Sequence, residues 1–313
     1  MINYINKQTN LLVKYYNKLS TWGKILFIAL FLMIIVTVFK RNNNAEGFQQ
    51  ESQFVEKRGL DMYDDFYVDI YDYLVYNHVK NDYEIGEIVN KTTPTSESIV
   101  LDVGSGTGHH VGELTDKNVK AIGIDMSQAM VARAKQNYPN SKFQVGDITD
   151  PTLFPSNTFT HITCFYFTIY YIQNKDLFFQ NCINFLKPGG YLIVHLVNRN
   201  KFDPILPPGN PLIAISPQRY AKERITETKI KFDDFEYSAD FKFKPDENLA
   251  IFEEKFKNDN NDKVRKQEHT FYMETQESIL KQAQDAGFIL DAKIDLLKVS
   301  YEYQYLYILT KPN

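Results

Sequence analysis

The chain has 313 residues, 43% of them hydrophobic and 24% charged, with a formal net charge of -4. That suits a globular fold with a full-sized core, about two domains at ~150 residues each, and it shows no basic face or tail of the kind a nucleic-acid enzyme carries. The two cysteines, Cys164 and Cys182, stand in no metal-ligand spacing and no C-x-x-C, so they read as buried free thiols in keeping with a reducing compartment.

Residues 1–24 form an N-terminal segment. Residues 25–39 then run without a charge, a Pro or a Gly, between Trp22 on one side and Lys40 and Arg41 on the other. The expectation is a single-pass membrane anchor over 25–41, with Trp22 at the interface and Lys24 snorkelling. A signal peptide is the rival reading; the long preceding segment and the lack of a small-x-small site speak against it. Lysines flank the run on both sides, so the charge rule gives no orientation. Residues 42–59, rich in Asn and Gln, read as a polar linker.

From Leu60 the apolar residues recur at three and four: Tyr63, Phe66, Tyr67, Ile70, Tyr71, Leu74 and Val75 share one helix face. A second short helix is predicted over 83–91, and Pro94 breaks the chain. Strands and helices then alternate. Strand 99–103 leads into a helix near 108–116. Strand 119–124 ends at Asp125, and Ser127 caps the next helix. Strand 142–145 leads to Gly146-Asp147; strand 159–165 leads through an aromatic stretch to a helix near 174–186. The run Lys187-Pro188-Gly189-Gly190 is a tight turn into strand 191–197. This rhythm implies a parallel sheet with right-handed crossovers.

Residues 198–273 break it. Pro204, Pro207, Pro208, Pro211 and Pro217 mark a loop, after which Phe235, Tyr237, Ala239, Phe241 and Phe243 alternate with Glu236, Ser238, Asp240 and Lys242. With partner strands at 249–257 and 264–273, this predicts a small antiparallel insertion, or lid, with one wet face. A helix over 275–286, closed by Gly287, and two strands, 288–295 and 301–309, finish the chain. The expected architecture is a doubly wound, Rossmann-like α/β sheet of seven strands. It has a helical cover before it and the antiparallel insertion after its fifth strand, and the whole follows the membrane helix. The catalytic unit is residues 60–313.

The most informative stretch is VLDVGSGTGHH, 100–110. Glycines between a strand and a helix let a ligand approach bare backbone beside the amides of a helix N-terminus. A dinucleotide site requires G-x-G-x-x-G. Counted from Gly104, the third glycine position holds His109; counted from Gly106, it holds Val111, so an NAD-dependent oxidoreductase is disfavoured. What fits is acid-x-G-x-G-x-G, with Asp102 as the acid and Ser105 and Gly108 within the loop. Asp125, at the end of the next strand, is placed where a carboxylate can accept both hydroxyls of a ribose. Asp147 follows one strand later. Each taken alone is an ordinary cap or turn residue.

Together these motifs resemble the class I S-adenosylmethionine-dependent methyltransferases, in the style of the type 11/25 domains, over about residues 60–313. The LKPGGYLIV run is similar to that family's turn before strand five. The closest layouts are the small-molecule enzymes acting on sugar amines or glycine. The resemblance implies S-adenosylmethionine as donor. Asp102, Gly104, Ser105, Gly106 and Gly108 would line its methionine end, Asp125 and Met126 would meet ribose and adenine, Asp147 and Ile148 adenine, and Phe165 would lie near it. It implies no metal. Methyltransferases of DNA adenine or protein glutamine carry Asn/Asp-Pro-Pro-aromatic after strand four; here the place reads Cys164-Phe165-Tyr166-Phe167, which disfavours such acceptors.

The implied reaction is in-line displacement, in which holding a lone pair against the methyl group supplies much of the catalysis. A base matters more for a hydroxyl acceptor than for a neutral amine. Tyr166, Tyr170, Tyr171, Tyr63 and Tyr67 could form an aromatic wall suited to a cation, or be packing. His195 and His110 are candidate bases or structural histidines; the catalytic residue stays unassigned, with Tyr166, Tyr170 and His195 as weak candidates. A small molecule, a lipid or a membrane protein could be the acceptor. A non-catalytic scaffold that keeps the donor site is the alternative. The Asn-, Lys- and Tyr-rich composition resembles proteins of AT-rich genomes, large DNA viruses among them.

Overall fold

A computed structural model describes residues 20, 22–24, 27, 54–206, 218, 220–259 and 263–313. The chain divides into two units, 1–49 and 50–313. In the first, the described residues 22–24 are helical, and Gly23 N–H donates to Ser20 Oγ at 3.2 Å.

The membrane anchor and the single-pass localisation are corrected. No helix among the described residues is long and apolar enough to cross a membrane, and apart from Phe27 the run 25–39 lies outside the described residues. The physical shortfall is length: roughly 15 residues at ~1.5 Å each reach ~22 Å, against a hydrocarbon core of ~30 Å.

The second unit opens with strand β1 (Phe54–Arg58), a short helical turn, and helices α1 (Asp65–Val75) and α2 (His78–Thr92). Asp64 and Asn77 cap the two helices, accepting from Tyr67 N–H at 3.2 Å and Lys80 N–H at 3.1 Å. The alternating region supplies β2 (Ile99–Val103), α3 (His109–Asp116), β3 (Lys120–Asp125), α4 (Gln128–Asn137), β4 (Lys142–Val145), β5 (Phe159–Cys164), the short α5 (Thr168–Tyr171), α6 (Lys175–Phe185) and β6 (Leu186–Val197). Then follow β7 (Glu227–Lys231), β8 (Phe235–Lys244), β9 (Leu249–Asn258), β10 (Val264–Tyr272), α7 (Gln276–Asp285), β11 (Ile289–Asp295) and β12 (Gln304–Thr310).

The main sheet has seven strands in the order β11-β12-β6-β5-β2-β3-β4. Strands β6, β5, β2, β3 and β4 pair parallel, and β12 and β11 add antiparallel at one edge. Strands β2, β5 and the second half of β6 are buried nearly throughout, as expected where helices cover both faces of a parallel sheet. Their carboxyl ends all open on one rim. Ser127 caps α4 as expected, its Oγ accepting from Met130 N–H at 3.1 Å.

The second sheet is larger than the predicted insertion. Its order is β1-β10-β9-β8-β7, and β1 pairs parallel to β10, Phe54 opposite Val264 and Arg58 opposite Glu268. Part of the predicted linker 42–59 is therefore a strand. It offered no sequence signal, because FVEKR lies on a sheet edge with only half-buried contacts. On β8, Tyr237, Ala239 and Phe241 are buried, the face the alternation predicted. Helix α2 begins at His78 rather than near 83, since Asn77 supplies its cap. The predicted 187–190 turn falls inside β6, with Gly189 N–H donating to Lys311 O at 2.9 Å. Of the loop prolines, Pro207, Pro208, Pro211 and Pro217 lie outside the described residues.

Candidate active site

The glycine loop leaves β2 at the carboxyl rim. Gly104, Gly106 and Gly108 all take positive φ, at 67°, 52° and 93°, where a side chain costs about 1–2 kcal/mol per residue. Two of them also lack room for a methyl group. A Cβ on Gly104 would stand 2.5 Å from Thr168 Cγ2, and one on Gly108 2.7 Å from Phe143 Cζ. Gly106 is different: the nearest neighbour of a Cβ there would be Tyr71 Cε1 at 3.7 Å, an ordinary van der Waals contact.

Asp125, at the end of β3, stands beside the loop. Its Oδ2 accepts from Gly106 N–H at 3.0 Å and its Oδ1 from Ser127 N–H at 2.8 Å. Both oxygens are thereby oriented, and each keeps a second lone pair. Burial raises the Asp125 carboxyl above its usual range, and the two backbone N–H groups pull against that rise. Gly146 N–H donates to Asp125 O at 3.0 Å, bringing the 146–148 loop beside it. There Asp147 is half-buried and accepts from Thr149 N–H at 2.8 Å, Ile148 is buried, and Met126 is exposed at the rim.

Asp102 is buried below the loop and accepts from Thr163 Oγ1 at 2.7 Å; burial pushes its carboxyl up to about 6. Phe165 is buried and stacks on His110, ring centroids 3.9 Å apart. His110 Nε2 lies 3.1 Å from Glu84 Oε2, and Glu84 Oε1 takes Lys80 Nζ at 2.7 Å, both side chains fully buried. Burial alone would raise the Glu84 carboxyl; Lys80 and His110 more than offset that and draw it down to about 2. Lys80 Nζ also lies 3.5 Å over the Tyr166 ring.

The residues expected at the donor site thus gather at one rim. The weak catalytic candidates divide. Tyr166 lines the cavity beside the glycine loop, its hydroxyl donating to Asn81 Oδ1 at 2.8 Å. Tyr170 is buried, and its hydroxyl accepts from Val197 N–H at 2.8 Å. His195 is buried, with Nδ1 on the Tyr166 carbonyl, and burial lowers it to about 4. The cavity against the loop measures about 50 Å³, with Tyr71, Tyr76 and Tyr166 in its lining, well under the ~300 Å³ of a small-ligand pocket. Helix α1 is tied down there: Thr107 Oγ1 donates to Asp72 Oδ1 at 2.6 Å.

A donor of the adenosyl type fits this chemistry. Ser105 Oγ is buried without a hydrogen-bond partner, and Asp125 offers two oriented acceptors. Among the described residues no group of His, Cys, Asp or Glu is placed to hold a metal.

A second polar cluster was not singled out in the sequence. Glu254 and His269 occupy inward slots of β9 and β10, against Tyr171 of α5 and Tyr63. The signal was present. Glu254 stands in phase with Phe252 and Phe256, and His269 with Phe271, so strand alternation alone turns both inward.

Residues 94–242 match a family model described as a methyltransferase domain. The chain is 32% identical over 114 residues to a dTDP-4-amino-2,3,4,6-tetradeoxy-D-glucose N,N-dimethyltransferase of Saccharopolyspora spinosa, covering 36% of this chain and 45% of that protein. It is 28% identical over 141 residues to a dTDP-3-amino-3,4,6-trideoxy-alpha-D-glucopyranose N,N-dimethyltransferase of Streptomyces venezuelae, covering 42% of this chain and 58% of that one. The chain therefore spans about half the length of these curated relatives. The CcbJ methyltransferase of Streptomyces caelestis superposes with a TM-score of 0.61 at 16% identity, over 82% of this chain and all of that one, a likeness of fold. Sheet order, loop geometry and sequence match fall on the same residues, and segment 94–242 is a methyltransferase domain.

Proposed function

We propose that the protein transfers a methyl group from S-adenosylmethionine to an amine of a small molecule, an amino sugar carried on a nucleotide being the favoured class. The observation that carries the donor half is the Asp125 carboxylate, held 3.0 Å from Gly106 N–H at the carboxyl end of the central strands. Its two spare lone pairs suit the paired hydroxyls of a ribose. Asp147 and Ile148 would meet the adenine, Met126 would flank it, and Asp102, Gly104, Ser105, Gly108 and Phe165 would surround the methionine end. When bound, the donor supplies a methyl group already activated on a sulfonium. The chain's part is then to orient, to exclude water and to present the acceptor nitrogen in line. Of the expected aromatic wall, Tyr63, Tyr67 and Tyr171 cluster with Tyr71, with ring pairs such as Tyr67–Tyr71 at 5.8 Å, a surface that suits a cationic centre. The amine class rests on the two dimethyltransferase relatives.

Two measurements test this. Calorimetry on the full chain should show S-adenosylhomocysteine binding that Asp125→Ala weakens at least about a hundredfold, as the loss of two charge-assisted hydrogen bonds implies. Tritiated-methyl transfer should then label dTDP-3-amino-3,4,6-trideoxy-alpha-D-glucopyranose or its 4-amino counterpart. Absence of S-adenosylhomocysteine binding refutes the donor assignment. Binding without transfer to either amine refutes the acceptor class and leaves a scaffold.

A further inference from the structure

A hydrogen-bonded chain runs from the core of the second sheet toward the donor rim, and no donor contact requires it. Glu254 and His269 are buried, at 2% and 3% exposure, whereas Tyr171 and Tyr63 are only half-buried. His269 Nε2 lies 2.7 Å from Glu254 Oε2, and Gln267 Nε2 donates to the same oxygen at 2.6 Å. The Tyr237 hydroxyl donates to Oε1. Burial alone would raise the Glu254 carboxyl; these hydrogen bonds, His269 first, hold it below its ordinary value. An ionised carboxylate only accepts, so Nε2 carries an imidazole hydrogen, and the tautomer with that hydrogen alone leaves Nδ1 to accept. Nδ1 lies 2.6 Å from the Tyr171 hydroxyl, which donates to it, and the Tyr63 hydroxyl donates to Tyr171 at 2.8 Å. Every hydrogen in the chain points toward the carboxylate, which leaves the Tyr63 oxygen as the accepting end. Tyr63 also sits at the donor rim, its carbonyl accepting from Ser127 Oγ at 2.9 Å, next to Asp125.

We propose that Tyr63, Tyr171, His269 and Glu254 form a proton relay that takes a proton from a protonated amine acceptor, so that the nitrogen lone pair is free when it faces the methyl donor. The relay rests on the methyltransferase reading above. Its step balances. The acceptor N–H bond breaks and an O–H bond forms on Tyr63, whose own proton passes to Tyr171; the Tyr171 proton passes to His269 Nδ1. The result is an imidazolium beside the Glu254 carboxylate, and the lone pair stays on the acceptor nitrogen. The proton leaves by the reverse path once product departs. Burial pushes both phenols well above their ordinary value, so they pass a proton rather than lose one to solvent. The carboxylate–imidazole pairing holds the tautomer in the manner of a catalytic triad. The titratable groups facing His269 are Glu254, Tyr171, Tyr63 and Tyr67, with Tyr237 across the carboxylate; Arg265, on the same strand, is committed to Asp64 at 2.8 Å. Tyr63 would touch the substrate; the other three act through it as positioning residues.

Tyr171→Phe removes one hydroxyl and keeps the ring. With dTDP-3-amino-3,4,6-trideoxy-alpha-D-glucopyranose as probe, its kcat should fall about tenfold or more below the pKa of the free amine. It should approach the unsubstituted rate above that pKa, where the amine arrives already deprotonated. His269→Asn should show the same convergence. A readout independent of turnover is nitrogen NMR of the imidazole in the dead-end complex with S-adenosylhomocysteine and the amine. His269 should gain its second proton in the unsubstituted protein and stay neutral in Tyr171→Phe. A loss of rate equal at every pH, no loss, or a His269 that stays neutral in the unsubstituted complex overturns the relay. Donor binding without transfer to the amine overturns it too, there being no amine proton to accept. Failure to bind S-adenosylhomocysteine at all is the separate failure of the methyltransferase reading.

Discussion

The three loop glycines look equivalent in the sequence, yet alanine substitutions should separate them into two kinds. At Gly104, with φ 67°, a Cβ would meet Thr168 Cγ2 at 2.5 Å and Oγ1 at 2.6 Å. Gly104→Ala therefore adds about 1–2 kcal/mol of left-handed strain to about 1–3 kcal/mol of overpacking, a loss of roughly 2–5 kcal/mol. Gly106 has φ 52° and only Tyr71 at 3.7 Å. Gly106→Ala meets the strain without the clash, so it should cost about 1–2 kcal/mol. The order reverses for the ligand relative to fold stability, because Gly106 N–H holds the Asp125 carboxylate, and a methyl there would crowd a donor's approach to it. Urea unfolding should place Gly104→Ala well below Gly106→Ala. Calorimetry should show S-adenosylhomocysteine affinity for Gly106→Ala reduced at least about tenfold, ~1.4 kcal/mol, despite its smaller stability loss. Equal destabilisation of the two variants would exclude the Thr168 clash at Gly104, and undiminished affinity in Gly106→Ala would exclude a donor bound against Gly106.

Two further outcomes follow from the buried charges. Lys80→Met strands Glu84 in the core with only His110 for company and should cost about 3–5 kcal/mol in urea unfolding, while Lys80→Met with Glu84→Gln should recover part of that; a single-variant cost under about 1 kcal/mol would contradict a buried ion pair. His195 has a folded value of about 4 against an unfolded ~6.5, so its contribution is present above pH ~6.5 and is lost as pH falls toward 4. By pH ~5 that loss is about 2 kcal/mol. Relative to the unsubstituted protein, His195→Gln should accordingly be about 2 kcal/mol less costly at pH ~5 than at pH ~7.5, and a pH-independent difference would show that His195 stays solvated.

Local pattern made the donor half of the molecule readable. The acid-x-G-x-G-x-G spacing, the acids at the ends of β3 and β4, and the Ser127 cap depend on residues close in the chain, where strand ends and helix starts leave short-range marks. Local pattern also predicts a membrane anchor over 25–41, whereas no helix among the described residues is long and apolar enough to cross a membrane. Local pattern misses β1, whose five residues become a strand only by pairing with β10, more than two hundred positions away. Edge strands carry little hydrophobic periodicity of their own, so nothing in FVEKR distinguishes it from linker.

The glycine loop, the alternation of strands and helices, and the donor class they point to are therefore written in short stretches of the chain. Tertiary structure alone decided which partners the buried polar groups found. Glu254 and His269 could be turned inward by counting along β9 and β10, but their meeting with Tyr171 and Tyr63 depends on how the second sheet packs against α5 and the cover before α1. Lys80, Glu84 and His110 likewise become one network only when α2 crosses α3. The reason is that a buried polar side chain must find its hydrogen bonds wherever packing puts them. Apart from Lys80 and Glu84, one turn apart on α2, those partners lie 15 to 108 positions away along the chain, beyond the reach of any local pattern.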